Sequence, residues 1–390
     1  MARFVAFLLL VGSATPALAG DVSLRLDAAT GFSVRNNTGA VERLRVDEAT
    51  GNISRNGALF VHTTGSGNLF VGDGAGNLGT TGAGGNVAFG QSALAANSTG
   101  LLNSAFGATA LTNNTTGTRN TAIGFLALSA NVGGGQNTSI GAFSMGYNTS
   151  GSRNSALGLT ALNYNTTGSL NSAVGYRALY GNTTGNSNAA LGDNTLMYST
   201  NGSRNVAIGR NAGATLVTGS DNIFISNTGL AGDNGQIRIG TGGTHTGTTI
   251  AGISGATSAA GIAVLVNAGG KLGTTTSSAR FKQDVRDMGD ASDLLMRLRP
   301  VTFRYTEEAV GAEESKGTQY GLIAEEVAEV APELVAPDLE GRPFSVKYHE
   351  LPALLLNEVQ VQRRTIAKLE ARIAELEKRP LYTPAPEVAR

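Results

Sequence analysis

Ser277 and Lys282 stand five residues apart in Ser277-Ser278-Ala279-Arg280-Phe281-Lys282-Gln283-Asp284-Val285. A serine hydroxyl is a weak nucleophile until a base takes its proton. A lysine takes it near neutral pH only where burial or a nearby cation lowers its pKa. Arg280 is such a cation by sequence, and it can equally sit in a salt bridge. A helix would turn residues five apart onto different faces, so Ser277 at least belongs in a turn or an extended segment. Read without any relative, the stretch is a Ser/Thr linker running into the basic start of a helix.

Little else in the chain is suited to catalysis. Between Asn86 and Ser226 the only acidic residues are Asp193 and Asp221, and neither Glu nor His occurs. Paired-carboxylate glycoside cleavage there would need a partner from another chain. Cysteine is absent, which excludes disulfides and thiolate metal sites and leaves the redox compartment open. The Gly-Gly-x-Gly-x-Asp pattern of calcium-stacked rolls does not repeat, so no metal and no cofactor is expected. Asn-x-Ser/Thr triplets such as Asn114-Thr115-Thr116 read as turn chemistry rather than glycosylation. Lys+Arg and Asp+Glu are both 29, so no net charge draws the chain to nucleic acid or anionic membrane.

Most of the chain is a repeat. Asn86-Val-Ala-Phe-Gly90 recurs at Asn103, Asn120, Asn137, Asn154, Asn171, Asn188 and Asn205, and Asn222-Ile-Phe-Ile-Ser226 closes the series, every step being 17 residues. An earlier copy, Asn68-Leu-Phe-Val-Gly72, lies 18 residues upstream. Each copy opens a short strand with a small then a large apolar residue and a Gly. A second apolar pair follows, as in Ala110-Leu111 or Ala161-Leu162, and then an Asn/Thr/Gly turn such as Asn165-Thr166-Thr167-Gly168. One copy is therefore two short extended segments with two turns, or one coil of a β-solenoid. Stacked about 4.8 Å apart, ten copies make a rod on the order of 45 Å long. With Gly at 54, Trp at 0 and aromatics at 6%, its core is thin. Each coil leaves an apolar face that partner chains would cover, so a trimer is expected. The pattern over residues 68–226 resembles the head repeats of trimeric autotransporter adhesins of the YadA type, whose shorter N-S-x-A-I-G coils form a trimeric β-roll. The resemblance implies architecture only.

Charged residues and helix formers rise at Ser277. After the Ser277–Val285 stretch come a strand at Leu298–Tyr305, Gly321-Leu322-Ile323-Ala324-Glu325-Glu326-Val327, Pro332-Glu333-Leu334-Val335, and a long helix from Leu351 to Lys378. In this order the motifs resemble the endosialidase-type intramolecular chaperone domain found at the ends of phage tail spikes and fibres, over residues 277–378. The resemblance implies a domain that drives trimerisation and folding of the β-structure before it, then releases itself through a serine-lysine dyad. It assigns Ser277 as nucleophile, Lys282 as base and the cut between Thr276 and Ser277; Arg280 supports them only as the nearby cation in the sequence. The sequence departs at Gln319, where many members carry His; His349 reads as a surface or capping residue.

The elements around these two blocks complete the organisation. Arg3, the apolar run Phe4–Leu10 and Ala17-Leu18-Ala19 read as a signal peptide cut after Ala19, which implies a secreted or surface protein. No later stretch is apolar enough for a membrane span. Residues 20–67 read as a β cap, 227–276 as a β-rich connector containing Ile237-Arg238-Ile239 and Ala263–Val266, and 379–390 as a disordered Pro-rich tail. Leu355, Val359, Gln362, Ile366, Leu369, Ile373 and Leu376 form a heptad seam. Ile at a with Leu at d favours two strands over three, a conflict with the homotrimer expected for the rod. The expectation is an exported trimeric fibre, mainly β, with an α+β self-cleaving chaperone domain. The alternative is an adhesin or glycan-binding spike whose chaperone domain does not cut; scattered tyrosines (Tyr147, Tyr164, Tyr176, Tyr180, Tyr198) make a poor sugar platform.

Overall fold

The computed structural model describes residues 23–27, 31–35, 41–79, 84–253, 258, 261–310 and 314–378. The signal segment and the Pro-rich tail lie outside the described residues. The chain divides into two units, residues 1–249 and 250–390.

The first unit holds a 16-stranded sheet in sequence order. It opens as an antiparallel meander, Ser23–Asp27, Gly31–Arg35, Glu42–Val46, Ile53–Arg55 and Ala58–His62. Ala58–His62 pairs antiparallel with Leu69–Val71, and from there every pairing is parallel. Three-residue strands then stack in unbroken register: Ala88 on Ala105, Ala105 on Ala122, and so on to Phe224 on Arg238. The result is a β-solenoid of about ten turns over residues 69–239.

The solenoid interior is as thin as the composition implies. Per coil it holds a strand alanine and an Ala-Leu pair, for example Ala105, Ala110 and Leu111, all fully buried. Buried beside them is the opening Asn. Asn103 donates its backbone N–H to Asn86 Oδ1 at 2.9 Å and its Nδ2 to Gly117 O at 2.9 Å. The same pair of bonds recurs up the stack to Asn222. A second ladder runs Asn97, Asn114, Asn131, Asn148, Asn165, Asn182, each Nδ2 donating to the preceding Oδ1 at 2.7–2.9 Å. Buried amides are costly unless bonded, so the two ladders fix which coil sits on which. The Gly closing each strand has no substitute: at Gly107 (φ 140°) a Cβ would lie 2.4 Å from Gly124 O.

The second apolar pair is not a strand. Ala110-Leu111 and its equivalents lie in turns, and the buried leucines are left-handed: Leu111 has φ 53° and Leu128 φ 52°. Such a leucine costs roughly 1–2 kcal/mol relative to right-handed backbone. It is held there because Leu111 N donates to Ala127 O in the next coil at 3.0 Å while the side chain fills the core. Each coil is thus one short strand and a chain of turns. The rod also takes in Ile237–Ile239, which pairs with Ile223–Ile225. This corrects the connector expected to start at residue 227: the last coil is 14 residues rather than 17, so the period is lost there.

The outward residue of each strand stays uncovered. Phe89, Phe106, Ile123, Leu157, Leu191 and Ile208 form one column, 38–52% exposed. Tyr147 stacks on Tyr164 with ring centroids 5.1 Å apart, and Tyr164 meets Tyr180 edge-on at 4.9 Å. These three tyrosines are one cluster rather than scattered residues, because a 17-residue step puts Tyr147 and Tyr164 on the same line.

The second unit is a small α+β body. A three-ten helix Gly289–Arg297 precedes the antiparallel pair Val301–Phe303 and Gln319–Gly321. Helix α1 (Glu307–Val310) lies between those strands in sequence. Helix α2 (Ala324–Val330) and a three-ten turn Pro332–Leu334 lead into a second antiparallel pair, Val335–Pro337 with Pro343–Val346. Helix α3 (Leu351–Glu377) ends the described chain. The core is Val327, Ala331, Leu334, Val335 and Val346, with Leu294, Leu298, Leu322 and Leu354 packed against it. No residue of α3 is buried, and the expected seam from Leu355 to Leu376 is bare.

The second Asn ladder stops at Ser199, where Ser199 Oγ and Asn182 Oδ1 are both buried without a partner. Ser199→Asn supplies an N–H to Asn182 Oδ1 and should raise stability by about 1 kcal/mol, read as a higher thermal midpoint. At the far end of the rod, Arg238 and the Leu230 N–H bond the buried Asp233 carboxylate and hold its pKa below the usual carboxylate range, burial opposing them. Because the folded pKa is depressed, this stabilisation is full above the unfolded value of about 3.9 and is lost as pH falls through the lower folded value. Asp233→Asn should cost roughly 1–3 kcal/mol at pH 7 and flatten the acid-unfolding curve of the first unit.

Candidate functional site

Ser277 follows the hairpin of Leu265–Val266 with Leu272–Gly273 and lies outside any helix or strand. Ser278 is the N-cap of a single three-ten turn, Ala279–Phe281, whose amide bonds are Phe281 N to Ser278 O (3.1 Å) and Lys282 N to Ala279 O (3.0 Å). Lys282 is the C-cap, back in extended conformation at φ −120°, ψ 145°. A turn of this kind, rather than an α-helix, separates the two candidate residues.

Every residue from Lys271 to Asp290 is exposed, Thr276, Ser277, Arg280 and Lys282 among them. Among the described residues no hydrogen bond joins Ser277 to Lys282. The Arg280 guanidinium lies over the Phe281 ring, 4.8 Å from its centroid, and makes no salt bridge among the described residues. The geometry of one chain thus presents both groups without enclosing them.

The remaining motif residues form the body of the unit. Gln319 pairs with Phe303 in the short sheet. Gly321 stands where a Cβ would meet Tyr348 Oη at 2.7 Å, and that hydroxyl accepts the Leu322 N–H at 2.9 Å. Arg299 pairs with Glu326 in the first turn of α2, and its hydrogen bond holds the Glu326 carboxyl below its usual range. His349 lies 3.7 Å from Glu350 on the surface. Sequence reading missed a polar clamp on α3. Buried Ser292 donates to Glu358 Oε2 at 3.1 Å, and Asn357 Nδ2 donates to Gly289 O and Ser292 Oγ at 2.8 and 2.9 Å. Nothing in a lone serine 65 residues from its partner announces such a contact. Among the described residues no cluster of His, Cys, Asp or Glu could hold a metal ion.

The unit also carries an apolar groove of about 720 Å³ between the three-ten helix Gly289–Arg297, the short sheet and the start of α3. Its walls include Leu295, Leu298, Val301, Tyr320, Leu322 and Leu355. None of the exposed segment from Lys271 to Met288 lines it.

Compared with known families, residues 277–336 match the one described as Chaperone of endosialidase. This unit carries an endosialidase-type chaperone domain. The match begins at Ser277 and ends at Ala336, so it spans the three-ten turn, the short sheet, α2 and the start of the second strand pair. Comparison with curated proteins finds no match for the chain. Within the chaperone domain, Gly321 of the Gly-Leu-Ile-Ala motif has a steric reason to be Gly. Gly321→Ala should displace the Tyr348 hydroxyl and cost roughly 1–3 kcal/mol. On the full-length chain, hydrogen exchange should then speed up at the Leu322 amide; unchanged protection there refutes the assignment.

Proposed function

We propose that this protein is an exported, self-associating fibre whose chaperone domain assembles the rod from three chains and then releases itself by cutting between Thr276 and Ser277. The observation that carries this reading is the family match, which starts at Ser277 itself. Its support elsewhere is physical. The outward column of the solenoid and the α3 seam are two long apolar surfaces on one chain, and exposed apolar surface of that extent is covered in a stable soluble protein. The N-terminal charge, apolar run and small-residue pattern support export.

The cut needs only groups of this chain and water. Neutral Lys282 Nζ takes the Ser277 Oγ proton, and the oxygen attacks the Thr276 carbonyl carbon. The C–N bond between the residues breaks, and the proton passes to the freed Ser277 amine. Water then hydrolyses the ester joining Thr276 to Ser277 Oγ, leaving a carboxylate and an alcohol. Lys282 is exposed in the single chain. Enclosure of the segment on assembly would make the cut conditional on a completed fibre.

The expected product of the mature chain is a pair of fragments, 20–276 and 277–390, read by intact mass. Ser277→Ala and Lys282→Ala should each slow the cut by about 100-fold or more. An intact wild-type 20–390 chain, or normal cutting in either variant, defeats the self-cleavage reading.

A further inference from the structure

The segment that follows Ser277 has a puzzle of its own. Phe281 is 62% exposed and Val285 75% exposed, and Met288 lies in the same exposed stretch. The three are spaced four and three residues apart, in a stretch with no helix between Lys282 and Met288. Apart from the Arg280 guanidinium over the Phe281 ring, they stay exposed among the described residues. The same unit holds an apolar groove that no described side chain fills. A large apolar side chain left in water and an apolar slot left empty are each unfavourable.

We infer that Phe281, with Val285 beside it, is an anchor that seats the scissile segment in the groove of a second copy of this chain. Charge favours the fit through Glu325: Arg280 and Lys282 flank Phe281, whereas Leu322 of the groove wall runs into α2, whose first turn holds Glu325 beside the Arg299-paired Glu326. The groove is also continuous with the bare seam, because Leu355 belongs to both. A seam on a 27-residue helix with no buried residue is covered from outside the chain, and the surface that covers it begins at the groove.

The inference rests on the self-cleavage reading only for its consequence. Seating Phe281 fixes the residue next to Lys282 and the fourth after Ser277, so docking holds both ends of the three-ten turn and shields them from water. Phe281 is then a positioning residue: it touches no reacting atom, yet the cut waits for it. The cut becomes a report that a neighbouring copy has arrived.

Cysteine is absent from the chain, which makes cross-linking clean. In full-length Ser277→Ala protein, one tagged population carries Phe281→Cys and a second, differently tagged, carries Leu298→Cys, Tyr320→Cys or Leu355→Cys. After co-folding and mild oxidation, disulfide mapping should find a mixed link from position 281 to at least one groove position, and none to the exposed Leu339→Cys. No mixed link at any of the three positions, or a link formed within one chain when both substitutions are on it, overturns the inference. With Ser277 intact, Phe281→Ser should slow the cut by about tenfold or more and Phe281→Leu should restore it, as expected for a group that positions rather than reacts. A mixed link in a protein that never cuts would leave the docking standing and remove only the self-cleavage reading.

Discussion

Vertical repetition of buried amides is the constraint on which the first unit rests. A coil of 17 residues with alanines and a single leucine inside cannot be specified by shape alone, since small cores accept many registers. Asparagine resolves this. Each buried side chain has donors and an acceptor to satisfy, and the equivalent Asn one coil away together with a turn-glycine carbonyl satisfies them. A slip of one residue would bury several unpaired amides at once, at roughly 1–3 kcal/mol each. The left-handed leucines, the glycine column and the alanine stack all follow from a register that the amides set.

The same register organises the outside. Anything placed on the surface of one coil is repeated in line on the next, so single exposed side chains become columns. The Phe/Ile/Leu column and the tyrosine cluster both arise this way. The chaperone domain has the opposite character. Its few elements share a core of five buried apolar side chains, and the apolar groove and the α3 seam face outward. Two units built on different principles thus have one thing in common: each leaves apolar side chains exposed in the single chain.

Much of this was legible in the residues. The interval between Asn-x-Ala-x-Gly copies pointed to the stacked fold and the thin core, and the motif order from Ser277 to the chaperone domain. What escaped was conformation without a signature. Ala110-Leu111 looks like strand sequence, and only the backbone shows that Leu111 is left-handed. The Asn of Asn165-Thr166-Thr167-Gly168 reads as a turn former, yet its side chain is a ladder rung. The final coil was hidden because its turn is shortened, so Ile237–Ile239 fell out of phase with the count. The groove gathers residues from Leu295 to Leu355, which no local pattern links, and the Ser292 clamp is equally non-local. Ser277 and Lys282 were picked out by a resemblance rather than by their surroundings, which consist of solvent.

The switch between Ala58–His62 and Leu69–Val71, antiparallel on one side and parallel on the other, gives the stack a direction. Below it the chain doubles back on itself; above it every added turn is a copy of the last. Length can therefore change only in whole coils inserted above that switch. A gain or loss of 17 residues lengthens or shortens the stack by one layer and leaves every lateral column aligned, and the coils at its two ends, of 18 and 14 residues, depart from that length while keeping the strand register.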